Sequence, residues 1–197
     1  MYSDVFCKVY NEFGWNYYPE IFGEQLLTWL KRQNFQPKSS MDLGCGTGKL
    51  TARMVEAGHP VTAVDFSENM LAAAAKNAPG AAFLQGELMD VPQMLGERKF
   101  DCIIAVYALH HLPDAEKYAL LTALREHLNP AGVIVLGDVS FPDREGLEAV
   151  REAYEEDWDD SEFYLVREEL EQALPQFDVD CIPISFCADV LILSPAE

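Results

Sequence analysis

Apolar positions along the chain alternate between two periods. Residues 19–35, PEIFGEQLLTWLKRQNF, place Ile21, Phe22, Leu26, Leu27 and Leu30 at helical spacing, and Pro19 suits a first helical turn. Short apolar runs follow, each bounded by turn residues. SSMDLG, PVTAVD, AAFLQGE, FDCIIAVYAL and VIVLGD read as strands, with NPAG as the turn before the last of them. GKLTARMVEAG, SENMLAAAAKNA and DAEKYALLTALREHL read as helices between them, the first closed by Gly58 and the second capped by Ser67. Strands alternating with helices predict a parallel sheet with helices on both faces. After Asp138 the rhythm changes. REGLEAVREAYEEDW and EFYLVREELEQAL read as helices, and FDVDCIPIS and CADVLILS as strands too close together for a crossover helix. That pair predicts an antiparallel hairpin. The fold class expected is therefore α/β in a single domain, with seven strands, the last two an antiparallel hairpin.

Charge narrows the partners. The 197 residues carry 14 Lys+Arg against 33 Asp+Glu, a net charge of −19, and no basic patch interrupts the acidity. Such a field repels phosphate backbones and anionic lipid, so neither nucleic acid nor membrane is expected as a partner. Apolar runs are broken by charge before membrane-spanning length. MYSDVFCKVYNEF lacks the basic region and apolar core of a signal peptide. Cys7, Cys45, Cys102, Cys181 and Cys187 are odd in number, scattered and without a CxxC pair. They read as free thiols in a reducing cytoplasm. The acidic cluster EEDWDDSE (155–162) reads as a solvated loop or helix end, with a binding site as the alternative.

MDLGCGTGKL (41–50) holds the main chemical signal. Three glycines, Gly44, Gly46 and Gly48, alternate after a short apolar strand and before a helix. This places a ligand at the helix N-terminus, beyond the carboxyl ends of the strands. A P-loop is excluded: its first glycine would fall on Leu43, and Leu50 stands where the Mg²⁺-binding hydroxyl belongs. The dinucleotide pattern G-x-G-x-x-G is excluded because its third glycine would fall on Lys49.

The G-x-G-x-G spacing behind Asp42 resembles the first motif of the class I S-adenosylmethionine-dependent methyltransferases. VTAVDFSENML, FLQGELMDVP, FDCIIAVYALHHLPD and LNPAGVIVLGD resemble their later motifs in order, and FCKVYNEF…YYPE resembles the capping segment of the small-molecule members. The resemblance runs over residues 6–194. It implies a Rossmann-like α/β fold, a seven-stranded, mostly parallel sheet with an antiparallel last strand and helices on both faces, S-adenosyl-L-methionine as cofactor, and methyl transfer to a small-molecule acceptor by in-line displacement. It divides the domain into an N-terminal cap and helix (1–36), a cofactor-binding core (37–138), and substrate-side helices with a C-terminal hairpin (139–197). It also implies cofactor contacts. Asp42, Gly44, Cys45, Gly46 and Gly48 would lie along the methionine side. Asp65 would hold the ribose hydroxyls, and Phe66 and Met70 would sandwich adenine. Glu87, where the family more often has Asp, or the Leu88 amide would reach the adenine edge, and Val106 would close the fourth strand's end. Tyr10 and Tyr18 are the residues of the aromatic cluster Tyr10, Trp15, Tyr17 and Tyr18 expected to touch cofactor or acceptor. Structural readings stand beside these: strand-end packing for Phe66 and Met70, a helix cap for Asp65, a solvated acid for Glu87, and a hydrophobic staple for the aromatic cluster.

His110 and His111 follow the fourth strand at the end where catalysis would sit. His111 is the candidate general base, with a plain turn as its alternative. Tyr107, His110 and Trp158 are the candidate acceptor contacts. Phe141, Tyr154, Trp158, Phe163 and Tyr164 either wall a pocket or pack two helices on the sheet edge. No metal is expected, since adjacent histidines on an extended segment point to opposite faces and no third ligand has suitable spacing. A monomer or homodimer is expected. Two other readings stay open: a cofactor-binding sensor or partner subunit without turnover, and a nucleotide-dependent oxidoreductase, which the missing third glycine disfavours.

Overall fold

In the computed structural model, residues 18–155 and 158–196 are described, with the side chains of residues 18–20 outside the description. Strands β1 (Ser40–Leu43), β2 (Val61–Asp65), β3 (Ala82–Gln85), β4 (Phe100–Val106) and β5 (Leu128–Phe141) run parallel in the order β3-β2-β1-β4-β5. β8 (Ala188–Pro195) pairs antiparallel with β5, and β7 (Phe177–Ser185) antiparallel with β8. The hairpin read from spacing is present, and β8 alone among these strands runs against the rest. A two-residue strand, β6 (Leu165–Val166), adds to the tip of β5.

The central strands are apolar on both sides because both sides are covered. Cys102 and Ile104 of β4, with Val133 and Val135 of β5, face a core built with Phe22, Leu26 and Leu30 of α1 (Tyr18–Arg32) and Leu50 and Met54 of α2 (Lys49–Glu56). Ile103, Ala105, Ile134 and Leu136 face the opposite core, with Val91 and Leu95 of α4 (Val91–Leu95) and Leu120, Leu121 and Leu124 of α5 (Asp114–Arg125). Between β2 and β3 runs α3 (Glu68–Asn77), where Ser67 accepts the Met70 N–H at 3.4 Å as its cap.

Three elements differ from the sequence reading. NPAG does not break β5. The strand starts at Leu128, Ala131 takes φ +62°, and the register to β4 shifts between Phe100 and Cys102. The Asn129 side chain donates to Asp101 across that irregularity at 2.8 Å. The helix expected over 144–158 ends earlier, as α6 (Arg144–Ala153). The helix expected over 162–174 divides into β6 and α7 (Arg167–Ala173), because Leu165 and Val166 are buried against Ser140 and Phe141 of β5. Tertiary pairing overrides local helix preference there. No helix among the described residues is long and apolar enough to cross a membrane.

One contact sets the site's roof. The Phe22 ring lies over Gly137, where an added Cβ would come within 2.7 Å of it, and meets Tyr107 edge-on at 5.4 Å. The start of α1 therefore lies over the carboxyl ends of β4 and β5.

Candidate cofactor and acceptor site

The three glycines of the loop after β1 all have positive φ (+67°, +54° and +76°), for different reasons. At Gly44 an added Cβ would stand 2.6 Å from Ala108, so the loop and the turn after β4 touch. At Gly48 it would strike Ala74 backbone at 2.9 Å, where α3 crosses the start of α2. At Gly46 nothing lies within 4 Å, so its backbone faces open space.

Two acids organise this loop. Asp42 is buried beneath it, and the Thr51 hydroxyl of α2 donates to its Oδ2 at 2.5 Å. Burial, helped by the nearby Asp65 charge, pushes the Asp42 carboxyl from its usual 3.8 up to about 6. Asp65 ends β2. Its Oδ2 accepts the Gly46 N–H at 2.8 Å and its Oδ1 accepts the Ser67 N–H at 2.9 Å. The same carboxylate thus ties the glycine loop to the start of α3. Cys45 is half-buried, its thiol pushed by burial to about 12 and so kept protonated. Asn77 of α3 donates to the Thr47 carbonyl at 2.8 Å, bracing the loop from its outer side.

Beside Asp65 the chain shows an apolar surface. Phe66 is 65% exposed and Met70 39% exposed, more than a strand-to-helix packing role leaves. Gln85 donates to the Phe66 carbonyl at 3.1 Å, and the Gly86 N–H donates to the Asp65 carbonyl at 3.1 Å. These bonds hold the loop carrying exposed Glu87 and half-buried Leu88 against the end of β2.

The opposite wall is the turn after β4. Val106 is half-buried, and Tyr107 takes φ +50°, uncommon for a bulky residue, with its N–H donating to the Gly137 carbonyl at 2.9 Å. His110 and His111 sit in a 3₁₀ turn, Leu109–His111, with ring centroids 4.1 Å apart. This corrects the expectation that they diverge: a tight turn, unlike an extended segment, brings neighbouring rings together. His110 Nδ1 lies 2.7 Å from Asp138 Oδ1, and Asp138 Oδ2 accepts the Leu109 and His110 N–H groups at 3.1 and 3.3 Å. Burial alone would lower the His110 pKa, but the Asp138 carboxylate reverses this and holds it above the ordinary value. Burial and the neighbouring His110 hold His111 below it.

Glu162 joins this turn from the segment after α6. The Phe163 N–H donates to the His110 carbonyl at 2.7 Å, and Lys117 of α5, fully buried, donates to the Phe163 carbonyl and to Asp114 at 2.8 Å. The Tyr164 hydroxyl donates to Glu162 Oε2 at 2.8 Å. Trp158 is half-buried and meets Tyr164 edge-on at 5.1 Å. Phe141 and Tyr164 are buried core, whereas Phe163 is exposed. Tyr10, Trp15 and Tyr17 lie outside the described residues, and of Tyr18 only the backbone opening α1 is described. Sequence reasoning assigned no role to Asp138 or Glu162. An acid closing the fifth parallel strand was the available signal for Asp138, and Glu162 lay hidden in an acidic cluster.

Residues 41–132 match the family of the methyltransferase domain. Over that stretch, a little under half of the chain, the protein is similar to a methyltransferase domain. An uncharacterised methyltransferase of Oceanobacillus iheyensis is 35% identical over 113 residues, 57% of this chain and 52% of that protein. One of Geobacillus kaustophilus is 38% identical over 117 residues, 59% and 52%. The chain thus spans about half the length of the curated relatives it matches. Among solved structures, the magnesium protoporphyrin IX methyltransferase of Synechocystis, crystallised with SAH bound, superposes with a TM-score of 0.70 at 21% identity, over 88% of this chain and 82% of that one. The DesVI protein of Streptomyces venezuelae gives 0.70 at 19% identity over 98% of each chain. The chain shares their Rossmann-like fold, with its glycine loop, Asp65 and the β4 turn gathered at the carboxyl ends of the parallel strands.

Proposed function

We propose that the chain binds S-adenosyl-L-methionine and methylates a small-molecule acceptor. The observation that carries this is the open cradle at Gly46, bounded by Asp65 and by exposed Phe66 and Met70. A cofactor with a diol, a flat base and a flexible cationic arm fits that set of donors and faces. Asp65, with one oxygen on the loop and one on α3, keeps lone pairs for ribose hydroxyls. Phe66 and Met70 take the adenine faces, and Glu87 or the Leu88 amide its edge. Gly44, Cys45, Gly46 and Gly48 border the methionine arm, with buried Asp42 below adding negative potential. When bound, the cofactor supplies a sulfonium methyl, which an acceptor lone pair takes as the carbon–sulfur bond breaks. The protein's share is to orient the acceptor and exclude water. Tyr107, His110, His111 and Trp158 border the side on which the acceptor enters.

The experiment incubates the chain with methyl-labelled cofactor and a metabolite extract, alongside calorimetry of the cofactor alone. Binding plus label in a small molecule is expected. Absence of cofactor binding overturns the reading. Binding without transfer to any acceptor leaves a cofactor-sensing protein instead, and transfer only to tRNA or protein removes the small-molecule assignment.

A further inference from the structure

We propose that His110, His111 and Glu162 form a three-ligand site for a divalent cation of the zinc class. One ligand atom from each lies within 4.8 Å of the others, in a cluster that is buried at His110 and open at His111. Tetrahedral zinc with nitrogen and oxygen ligands sets neighbouring ligand atoms roughly 3.4 Å apart, so closure needs a movement of about 1.4 Å. Exposed His111 and half-buried Glu162 have room for it.

The surroundings point to a cation more than the three residues do. His110 is engaged at Nδ1 by Asp138, which leaves Nε2 to offer. A carboxylate behind a histidine is the arrangement that fixes the tautomer of a metal-binding imidazole and raises its basicity. Glu162 has its own support in the Tyr164 hydroxyl. The two ligand segments are stapled together by the Phe163–His110 backbone bond, and buried Lys117 grips the same Phe163 carbonyl. A half-buried carboxylate and two imidazoles suit zinc over magnesium, which prefers oxygen ligands.

Three protein ligands leave a fourth position open, as in sites where zinc holds water or substrate. Ala108, which precedes the histidine turn, abuts Gly44, so the metal site neighbours the glycine loop. An acceptor bearing a hydroxyl or thiol would bind there and lose its proton more readily. This use in methyl transfer rests on the function proposed above; the metal site does not.

The test is titration of the full chain with Co²⁺, a spectroscopic substitute for zinc, followed by Zn²⁺ competition. One equivalent giving the intense visible bands of a four-coordinate ion, with no thiolate charge-transfer band, is expected. His111→Ala and Glu162→Gln should each weaken binding roughly tenfold or more, while circular dichroism shows both folded. A six-coordinate spectrum, a thiolate band, or unchanged affinity in both variants overturns the site. None of these readouts depends on cofactor binding or turnover.

Discussion

Removing the Asp65 carboxylate takes the acceptor from two N–H groups at once, those of Gly46 and Ser67. Asp65→Ala should therefore weaken cofactor binding by about 1.5–3 kcal/mol, the range for hydrogen bonds to a charged group, and also lower the melting temperature. Calorimetry on the folded variant checks the first and a thermal melt the second. Asp42 makes a different case. Its pKa is raised in the folded state, so its contribution to stability is fully present below the unfolded value of 3.8 and is lost as pH rises through about 6. The full span is on the order of 3 kcal/mol. Asp42→Asn, which mimics the protonated form and still accepts from Thr51, should gain on the wild type as pH rises from about 4 to about 7. Urea midpoints of the two proteins across that range give the comparison, and a constant difference would contradict it.

At the scale of elements, the glycine loop separates binding from folding. Gly46→Val puts a branched side chain into the open cradle at a φ that such residues avoid, so cofactor binding should be lost while the protein stays folded. Gly48→Val strikes the Ala74 backbone and should lower stability markedly more than Gly46→Val. Melts with and without cofactor distinguish them: Gly46→Val keeps most of its melting temperature but loses the cofactor shift. Equal destabilisation by the two would mean that the loop's glycines share one packing role.

For the whole molecule, the segment after β5 is the part that the acceptor would meet. Trp158 reaches the site through Tyr164, whose hydroxyl holds Glu162. Trp158→Ala should depress kcat/KM for the acceptor while leaving cofactor affinity near the wild-type value, because its ring packs on Tyr164, on the Glu162 side of the site. Parallel loss of both would show the segment supporting the entire cleft. The net charge of −19 favours a neutral or cationic acceptor at this mouth.

Local pattern alone was enough for much of this protein. Short apolar runs marked the parallel strands and helical spacing marked their helices, because a strand covered on both faces is apolar throughout while a helix buries a face that repeats every 3.6 residues. The short gap between the last two strands permitted only a hairpin. The spacing Gly44, Gly46, Gly48 and the strand-end position of Asp65 were likewise legible, since both are features of short local segments. Tertiary structure decided what sequence distance conceals. Leu165 and Val166 sit in a helix-like pattern but form a strand, because the tip of β5 offers them pairing and burial. The glycines of the loop acquired separate roles only when Ala108 was brought against Gly44 and Ala74 against Gly48, leaving Gly46 open. The histidines converge because the backbone turns sharply after Tyr107. Glu162 and Asp138 reach them from distant segments, since side-chain meetings across a sheet edge depend on strand order and connection geometry, which periodicity along the chain does not encode.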